Sequence, residues 1–384
     1  MSKNIPITKP WMDDREAEAA QRAILSGWVT QGPEVAAFER EFAAYVRSPH
    51  ACAVSSCTAA LHLALLAVGV KREDEVITAS HSFIATANSV RYTGAQPVFV
   101  DIDPDTFNMD PALVERAISE RTRAILCVHQ MGMPCDMKVI LEIAHRHHLP
   151  VVEDAACAVG SEILWYGTWE KIGKPHGDIA CFSFHPRKLL TTGDGGMLTT
   201  ANPDWDQKFR LWRQHGMSVP ANVRHDANQI IFESYLELGY NYRLTDIQAA
   251  VGREQLKRLP QIVERRRSLA ERYKRLLTGV AGLRLPSEPP WARGNWQSYC
   301  VRLPAAHDQR MVMQALLNRG VATRRGIMCA HREPAYSGFA KAGSLLESEK
   351  AQDQCMLIPL YPQMTEEEQD YVVAQISEVL TTRF

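Results

Sequence analysis

A lysine that follows a predicted buried strand has the clearest chemical potential in this sequence. Residues 179–184 form an apolar run that carries one hydroxyl, on Ser183, and Pro186 ends the run. This composition is typical of a strand buried on both faces. Lys188 comes next, before a glycine-rich turn at 193–196. Ligands of open α/β sheets bind beyond the carboxyl ends of the strands. Burial there would lower the pKa of a lysine and allow it to form a Schiff base with an aldehyde.

An acidic residue at a second strand end gives this lysine a chemical partner. Without one, an exposed loop position would be the simpler interpretation of Lys188. Residues 151–154 read Val-Val-Glu-Asp and precede two alanines. Asp154 is either a helix N-cap, which aspartate favours, or a carboxylate that faces a cofactor ring nitrogen. Pyridoxal phosphate requires both a Schiff-base lysine and a partner for its pyridinium nitrogen. Lys188 and Asp154 are each expected at a strand's carboxyl end, on the same edge of the sheet.

Three further stretches could line a binding site. A turn of small residues at 55–60 would expose backbone N–H groups at a helix N-terminus. This suits a phosphate, although serine and threonine caps are common. Phe83 follows another predicted strand and could either stack on a flat ring or pack in the core. Asn241 lies between two tyrosines, shortly before a predicted helix start at 245–246. Helix propensity does not explain these two aromatic residues.

The bulk composition restricts the class of protein. A chain of 384 residues exceeds what one core usually supports, which predicts two domains. A net charge of −1 gives no electrostatic attraction to nucleic acid or to a membrane. The nine cysteines include no Cys-x-x-Cys pair, so neither a disulfide framework nor a zinc site is indicated. The sequence shows neither a signal peptide nor a membrane span, which predicts a cytoplasmic protein.

Short apolar runs alternate with helical patterns along the first half of the chain. This repeated β-α-β order predicts an α/β fold, with a mainly parallel sheet and helices on both faces. Strands are predicted at 51–54, 75–79, 97–100, 124–129, 150–153, 179–184 and 197–200, and helices at 12–25, 34–47, 58–68, 84–92, 111–119 and 136–147.

The last third of the chain has a different pattern. A long helical stretch at 246–275 contains Pro260, which is expected to break or kink it. A proline-rich segment at 285–294 reads as a linker. A strand at 298–303 and helices at 310–319 and 365–380 follow it. We therefore predict a large cofactor-binding domain, 1–255, and a smaller C-terminal α+β domain, 256–384.

Taken together, these stretches resemble the nucleotide-sugar aminotransferases of the DegT/StrS type, within fold type I of the pyridoxal-phosphate enzymes. The resemblance covers nearly the whole chain, and its order and spacing are highly specific although each motif alone is weak. The motifs are Ser26-Gly27-Trp28, Gly32-Pro33, Thr58-Ala59-Ala60-Leu61, Asp74-Glu75-Val76, Ala85-Thr86-Ala87-Asn88, Val100-Asp101-Ile102-Asp103, Glu153-Asp154-Ala155-Ala156, Ser183-Phe184, Lys188, Gly193 to Gly196, His215-Gly216 and Gly239-Tyr240-Asn241-Tyr242-Arg243.

The resemblance implies roles for single positions around the cofactor ring. Lys188 matches the Schiff-base lysine, and Asp154 matches the partner of the pyridinium nitrogen. Phe83 matches the aromatic residue that stacks on the ring. Cys157 stands where many relatives have glutamine or histidine near the cofactor, so this contact does not carry over directly.

The resemblance also implies a phosphate site. Thr58 and Ser183 match phosphate-binding hydroxyls, and the backbone of Ala59 lies beside the first of them. Asn241 matches a residue that reaches the phosphate in the neighbouring subunit, which implies a homodimer with shared sites. Cys57 departs from the glycine of many relatives. Residues 164–177 also differ, so substrate contacts there are not inferred.

The implied activity is transfer of an amino group, with glutamate as the expected donor, to a nucleotide-linked keto sugar. Sugar dehydratases of the same family carry histidine in place of Lys188, so the lysine argues against dehydration. A cyclitol aminotransferase would use the same chemistry and remains an alternative. A regulatory protein on the same scaffold is a second alternative, which the intact pair of Lys188 and Asp154 disfavours.

Overall fold

The computed structural model of the protein describes residues 4–219 and 228–381. Its strands are, in chain order, β1 (His50–Val54), β2 (Glu75–Ala79), β3 (Gln96–Val100), β4 (Thr122–Val128), β5 (Val151–Asp154), β6 (Glu162–Trp165), β7 (Thr168–Lys171), β8 (Ile179–Ser183), β9 (Gly196–Thr200), β10 (Ala292–Arg293), β11 (Tyr299–Arg302), β12 (Arg324–Arg325) and β13 (Cys355–Ile358).

The α-helices of the same ranges are α1 (Asp14–Leu25), α2 (Pro33–Val46), α3 (Cys57–Ala67), α4 (Ala85–Tyr92), α5 (Pro111–Ala117), α6 (Met137–Arg146), α7 (Pro203–Trp212), α8 (Asp246–Leu277), α9 (Gln309–Asn318), α10 (Leu346–Gln354) and α11 (Glu366–Thr381). Within these ranges, no helix combines the length and the apolar character needed to cross a membrane.

The central sheet has seven strands in the order β1-β9-β8-β5-β4-β2-β3. The strand β5 pairs in parallel with β4 and β8, and β2 pairs in parallel with β3 and β4. The strand β9 runs antiparallel to both of its neighbours, β1 and β8. The predicted α/β class with a mainly parallel sheet is therefore confirmed. The shared direction places the carboxyl ends of the parallel strands on one edge.

Side chains that alternate along the strands contribute to two separate apolar cores, one on each face of the sheet. In β8, Ala180 and Phe182 belong to the core that α2 covers, whereas Ile179 and Cys181 belong to the core that α3 covers. All four side chains are buried. Successive side chains of a strand point to opposite faces, so a strand that is apolar at every position must be covered on both. This is why the uninterrupted apolar run identifies a central strand.

The long helix α8 passes through Pro260 without ending, so the predicted break at this residue is wrong. Leu259 and Ile262, on either side of the proline, are buried in the core of the large sheet. Tyr273, farther along, is buried in the C-terminal core. Packing at both ends holds the helix together and outweighs the loss of one backbone hydrogen bond. Pro260 itself is exposed, and a proline on the solvent face is where a long helix accommodates one.

A three-stranded antiparallel sheet, β11-β13-β12, carries the C-terminal core. It packs with α9, α11 and the second half of α8 in one apolar cluster. Ile5 joins the same cluster, and its N–H donates to the carbonyl of Gly320 at 2.8 Å. Residues near the N-terminus thus pack on the C-terminal core. The domain boundary between residues 255 and 256 falls inside α8 and stays a prediction.

The first residue of α8 caps a helix that is distant in sequence. Asp246 Oδ1 accepts the N–H of Gly32 at 2.7 Å and of Val35 at 3.0 Å, and its Oδ2 accepts the N–H of Glu34 at 3.1 Å. These groups open α2, whose own N-cap residue is Gly32. Glycine has no side chain to cap a helix, so the carboxylate of α8 satisfies the free N–H groups instead.

Replacement of Asp246 by alanine is expected to lower the free energy of unfolding by about 2–4 kcal/mol, because three N–H groups lose a charged acceptor. Urea titration followed by circular dichroism measures this loss. Asp204, which is exposed in the first turn of α7, provides a matched control. Asp204→Ala removes a favourable interaction with the helix dipole and is expected to cost about 0.5 kcal/mol. Equal losses in the two variants would contradict the capping role.

Candidate active site

A cavity of about 500 Å³ opens at the carboxyl edge of the central sheet. The loops that follow β1, β2, β5 and β8 form one wall, and β12 and β13 contribute to the other. The cavity thus lies where an open α/β sheet binds its ligands. Six residues that the sequence singled out line it: Thr58, Phe83, Asp154, Cys157, Ser183 and Lys188.

Asp154 ends β5 at the floor of this cavity and is 5% exposed. Its Oδ2 accepts a hydrogen bond from Thr86 Oγ1 at 2.7 Å, and its Oδ1 accepts the N–H of Ala156 at 3.2 Å. Burial raises the pKa of this carboxyl above its ordinary value, although the two hydrogen bonds and the nearby Lys188 act to lower it. The residues after Asp154 form turns. The alternative that Asp154 caps a helix is therefore wrong.

Lys188 lies on a short turn after β8. Its N–H donates to the carbonyl of His185 at 2.8 Å, and the next residue, Leu189, is buried and anchors the turn. The amine Nζ donates to Cys157 Sγ at 3.0 Å. Burial lowers the pKa of the amine, but the Cys157 sulfur and the Asp154 carboxylate outweigh burial and raise it above its ordinary value. The lowered pKa that burial predicts is therefore wrong for the free lysine, because its neighbours favour the ammonium form.

The N-terminus of α3 faces the cavity from another side. Ser56 is its N-cap, and Ser56 Oγ accepts the N–H of Ala59 at 3.1 Å. Thr58 lines the cavity, whereas Ala59 is buried behind it with its N–H engaged by this cap. The predicted phosphate contact of Ala59 stays a prediction that requires the cap to open. Gly196 permits the close packing here, since a Cβ at this position would lie 2.5 Å from the Ser56 backbone.

Two further predicted residues take up different positions on the wall. Ser183 is the last residue of β8, half-buried, and its Oγ accepts the N–H of His185 at 3.4 Å. Phe83 follows β2 and is 65% exposed at the cavity. A ring exposed to this extent is not a core residue, so the core alternative for Phe83 is wrong. An uncovered aromatic face is available to stack on a flat ligand.

Asn241 lies on the surface, outside the cavity lining described for its own chain. The rings of Tyr240 and Tyr242 on either side of it stack at 5.0 Å and 12°. The carbonyl of Tyr242 accepts the N–H of Ser55 at 2.8 Å. The tyrosine side chains pack on α3, where the Tyr242 hydroxyl lies 3.2 Å from His62 Nδ1 and the Tyr240 ring lies 4.9 Å from the His62 ring. These contacts explain the aromatic residues that helix propensity did not.

Thr86 is a site residue that the sequence reasoning missed. It lies in the first turn of α4 and connects Ser82 to Asp154, because its hydroxyl also lies 2.7 Å from Ser82 Oγ. Thr86 follows Phe83 by three residues, a spacing of about one helical turn. This spacing, together with a predicted helix at 84–92, was the available signal.

The residues of the cavity fit pyridoxal phosphate. Asp154 is a buried carboxyl with a raised pKa, and a protonated ring nitrogen would supply the positive charge that it lacks. The amine of Lys188 faces the same space. The N-terminus of α3 offers hydroxyls and partial positive charge to a phosphate. The volume lies in the range of small-molecule sites, about 300–1,000 Å³.

Comparison with known proteins gives consistent matches over the whole chain. Residues 10–377 match the DegT/DnrJ/EryC1/StrS aminotransferase family. The chain is 37% identical to the spore coat polysaccharide biosynthesis protein SpsC of Bacillus subtilis, over 98% of this chain and 97% of that protein. It is similar to the crystal structure of DesV from S. venezuelae, at 35% identity with a TM-score of 0.88 and 99% of each chain covered. It is also similar to Spr1654 from Streptococcus pneumoniae, in a PMP form and a PLP form. These have TM-scores of 0.93 and 0.91 at 27% and 26% identity, and cover 99% of this chain and 100% of that chain.

The family match includes the cavity-lining residues from Ser56 to Leu360. The similarity to DegT/StrS-type enzymes that the motifs indicated is thereby confirmed. The PLP form of Spr1654 supports the assignment of pyridoxal phosphate, which the cavity fits. The chain belongs to the DegT/DnrJ/EryC1/StrS aminotransferase family, and its cofactor is pyridoxal phosphate.

Proposed function

We propose that this protein transfers an amino group from glutamate to a nucleotide-linked keto sugar and so forms an amino sugar. The observation that carries this proposal is that Lys188 and Asp154 line the same cavity. Asp154 ends β5, and Lys188 lies on the turn after the adjacent parallel strand β8. An amine and a buried carboxylate are the two groups that pyridoxal phosphate requires. The relative SpsC is named for polysaccharide biosynthesis, which supports a sugar as the acceptor.

We assign the cofactor contacts to five residues of the cavity wall. Lys188 would hold the cofactor through its amine, and Asp154 would bind the protonated ring nitrogen. Phe83 would stack on the ring, since its face is exposed. Thr58 and Ser183 would donate their hydroxyls to the phosphate. These assignments follow the residue positions and the chemistry of each side chain.

The side chains of the cavity divide the work of the reaction. Bound pyridoxal phosphate supplies a carbon that accepts and gives up an amino group, and a ring that withdraws electrons. Lys188 Nζ would serve as the base that takes up a proton from the substrate carbon and gives it back. Asp154 would keep the ring nitrogen protonated, and Thr86 holds the carboxylate in place through its hydroxyl.

Three arginines of the cavity wall favour an acceptor that carries phosphate. Arg187 precedes Lys188, and Arg324 and Arg325 form β12; all three are exposed. Guanidinium groups bind phosphate oxygens in a bidentate manner. The Nη2 of Arg325 also lies 3.8 Å from the Oε1 of Glu333, with which it forms an ion pair. We therefore assign the diphosphate of the acceptor to these arginines, which favours a nucleotide-linked sugar over a cyclitol without a nucleotide.

We also propose a homodimer with shared active sites. The segment 230–238 exposes Ile230, Phe232 and Leu238 at 88%, 91% and 83%. An apolar surface as exposed as this is typical of an interaction site. Asn241 follows the segment and is itself exposed. Its position is compatible with a contact to the cofactor phosphate of the neighbouring subunit.

We place the protein in the cytoplasm. All nine cysteines are free thiols, and eight of them are buried. Free thiols persist in reducing compartments, where disulfides are rare. A reducing compartment would also keep Cys157, the half-exposed thiol of the cavity, in the reduced form.

Transfer of nitrogen-15 from labelled glutamate to a panel of keto acceptors, followed by mass spectrometry, tests the proposed function. We expect labelled amino sugar from acceptors that carry a nucleoside diphosphate. For the same sugar without the nucleotide, or for a keto cyclitol, kcat/KM is expected to be at least ~10-fold lower, because charge-assisted contacts to phosphate are lost. Equal rates would argue against nucleotide recognition. Absence of label from every acceptor, with the cofactor bound, would favour the regulatory alternative.

Thr86→Val is expected to shift the acidic limb of the pH–rate profile to higher pH. The Thr86 hydroxyl lowers the pKa of Asp154, so its removal raises that pKa further and leaves less carboxylate at low pH. At the lower end of the pH range, kcat/KM should fall about 3- to 10-fold relative to the wild type. Thr86→Ser keeps the hydroxyl and is the matched control. Identical profiles for the two variants would show that this hydrogen bond does not tune Asp154.

A further inference from the structure

A short segment before β11 holds two loops of the cavity together. Asn295 is fully buried, and its Nδ2 donates to the carbonyl of Cys157 at 2.8 Å. Gln297 Nε2 donates to the carbonyl of Arg187 at 2.6 Å. The Oδ1 of Asn295 accepts the N–H of Gln297 at 2.8 Å, so the two contacts are linked. One segment therefore fixes both the backbone of Cys157 and the residue before Lys188.

We propose that Cys157 is a positioning residue that holds the free amine of Lys188 in the cavity, and that Asn295 fixes the place of this thiol. The inference rests on the role of Lys188 proposed above. The Cys157 Sγ lies 3.0 Å from the Lys188 Nζ. A lysine side chain has four rotatable bonds and samples many positions unless a contact restricts it. The thiol supplies that contact whenever the amine is not bonded to the cofactor.

The other groups near the amine do not take this role. The titratable groups that face it come from three parts of the cavity wall: Cys57 from the start of α3, Asp154 and Cys157 from the end of β5 and the turn after it, and His185 from the turn after β8. Within the described residues, Cys157 is the one whose side chain is hydrogen-bonded to the Nζ. The Cys57 thiol instead lies 3.6 Å from the carbonyl of Cys181. Burial lowers the pKa of the Lys188 amine, and the Cys157 sulfur is the main influence that raises it.

The rate at which cofactor-free protein captures pyridoxal phosphate, measured across a range of pH, tests the inference. The rate should rise with pH as the amine loses its proton and then reach a plateau that reports how well the amine is positioned. Cys157→Ala is expected to lower the plateau about five- to tenfold and to move the midpoint to lower pH. Cys157→Ser should restore the plateau, because the hydroxyl keeps the hydrogen bond. It should keep the lower midpoint, because the sulfur that raises the pKa of the Lys188 amine is gone.

Asn295→Ala provides a second test in which the thiol is retained. We expect its plateau to fall as in Cys157→Ala. We also expect iodoacetamide to alkylate Cys157 faster, because the loop is no longer held. Circular dichroism confirms that each variant is folded. Equal plateaus for the wild type and Cys157→Ala would overturn the inference while leaving the proposed function intact. Failure of the wild type itself to capture the cofactor would overturn the proposed role of Lys188, and the inference with it.

Discussion

Replacement of Lys188 by alanine is expected to abolish amino transfer, with a loss of at least about 10³-fold in kcat. The variant loses both the base that moves the proton and the amine that bonds to the cofactor. The visible absorbance of that bond should therefore disappear from the purified protein. The far-ultraviolet circular dichroism spectrum should stay native, because Lys188 is half-buried at the wall of a cavity and is not part of an apolar core.

Two controls separate the loss of this amine from a general effect. Lys71→Ala removes an exposed lysine from the turn before β2 and should leave turnover and absorbance unchanged. A small primary amine added to Lys188→Ala should restore part of the rate, since it can carry the proton without the side chain. Transamination by Lys188→Ala without added amine would show that another group is the base.

Asp154→Asn is expected to lower kcat by about 10²- to 10⁴-fold, the range seen when a positioned acid–base partner is lost. The change keeps the shape of the side chain and an oxygen that can accept the hydroxyl hydrogen of Thr86. It removes the negative charge that keeps the ring nitrogen protonated. Steady-state kinetics with saturating cofactor measures the effect and separates it from weaker cofactor binding.

The same variant should have opposite effects on stability with and without the cofactor. Burial raises the folded-state pKa of Asp154 above its ordinary 3.8, so the ionised carboxylate destabilises the cofactor-free protein at neutral pH. The sign follows from linkage: this cost is absent below about pH 4 and grows as pH rises through the folded-state pKa. Cofactor-free Asp154→Asn should therefore melt at a higher temperature than the wild type at pH 7, and the difference should vanish at low pH. With cofactor bound, the wild type should be the more stable.

Asp178 provides a matched control for the kinetic measurement. Its carboxylate is half-buried at the opposite end of β5, where Oδ2 accepts the N–H of Val151 at 2.8 Å. Asp178→Asn keeps this acceptor and lies away from the cavity wall. We expect its kcat and its cofactor absorbance to match the wild type. A loss as large as that of Asp154→Asn would mean that the effect of Asp154 is structural.

The central sheet is predictable because buried strands and their helices leave a local pattern. The predicted strand at 75–79 coincides with β2, and the run at 179–184 differs from β8 by one residue. The reversed direction of β9 leaves no such pattern. It depends on the turn at 193–196, which returns the chain between β8 and β1. At Pro260, in contrast, a strong local signal gave a wrong prediction. The proline indicated a break, but packing on both sides of it keeps the helix α8 continuous.

Some features of the candidate site can likewise be predicted from local sequence, and others cannot. Lys188 and Asp154 are predictable because each follows the end of a strand, a position that the sequence itself marks. The contact between Lys188 and Cys157 depends on how two loops approach each other. Asn295 belongs to a segment that is 138 residues away in sequence from the carbonyl it holds. Local sequence carries no information on such a pairing. The raised pKa of Lys188, which depends on Cys157, could not be predicted for the same reason.

The capping carboxylate of Asp246 lies 211 residues after Val35, one of the N–H groups that it satisfies. During synthesis, α2 therefore leaves the ribosome long before the residue that completes it. At about 5–20 residues per second, these N–H groups of α2 stay without their capping carboxylate for roughly 10–40 seconds. Expression with ribosome-associated chaperones, at a temperature that slows aggregation, should consequently improve the yield of folded protein.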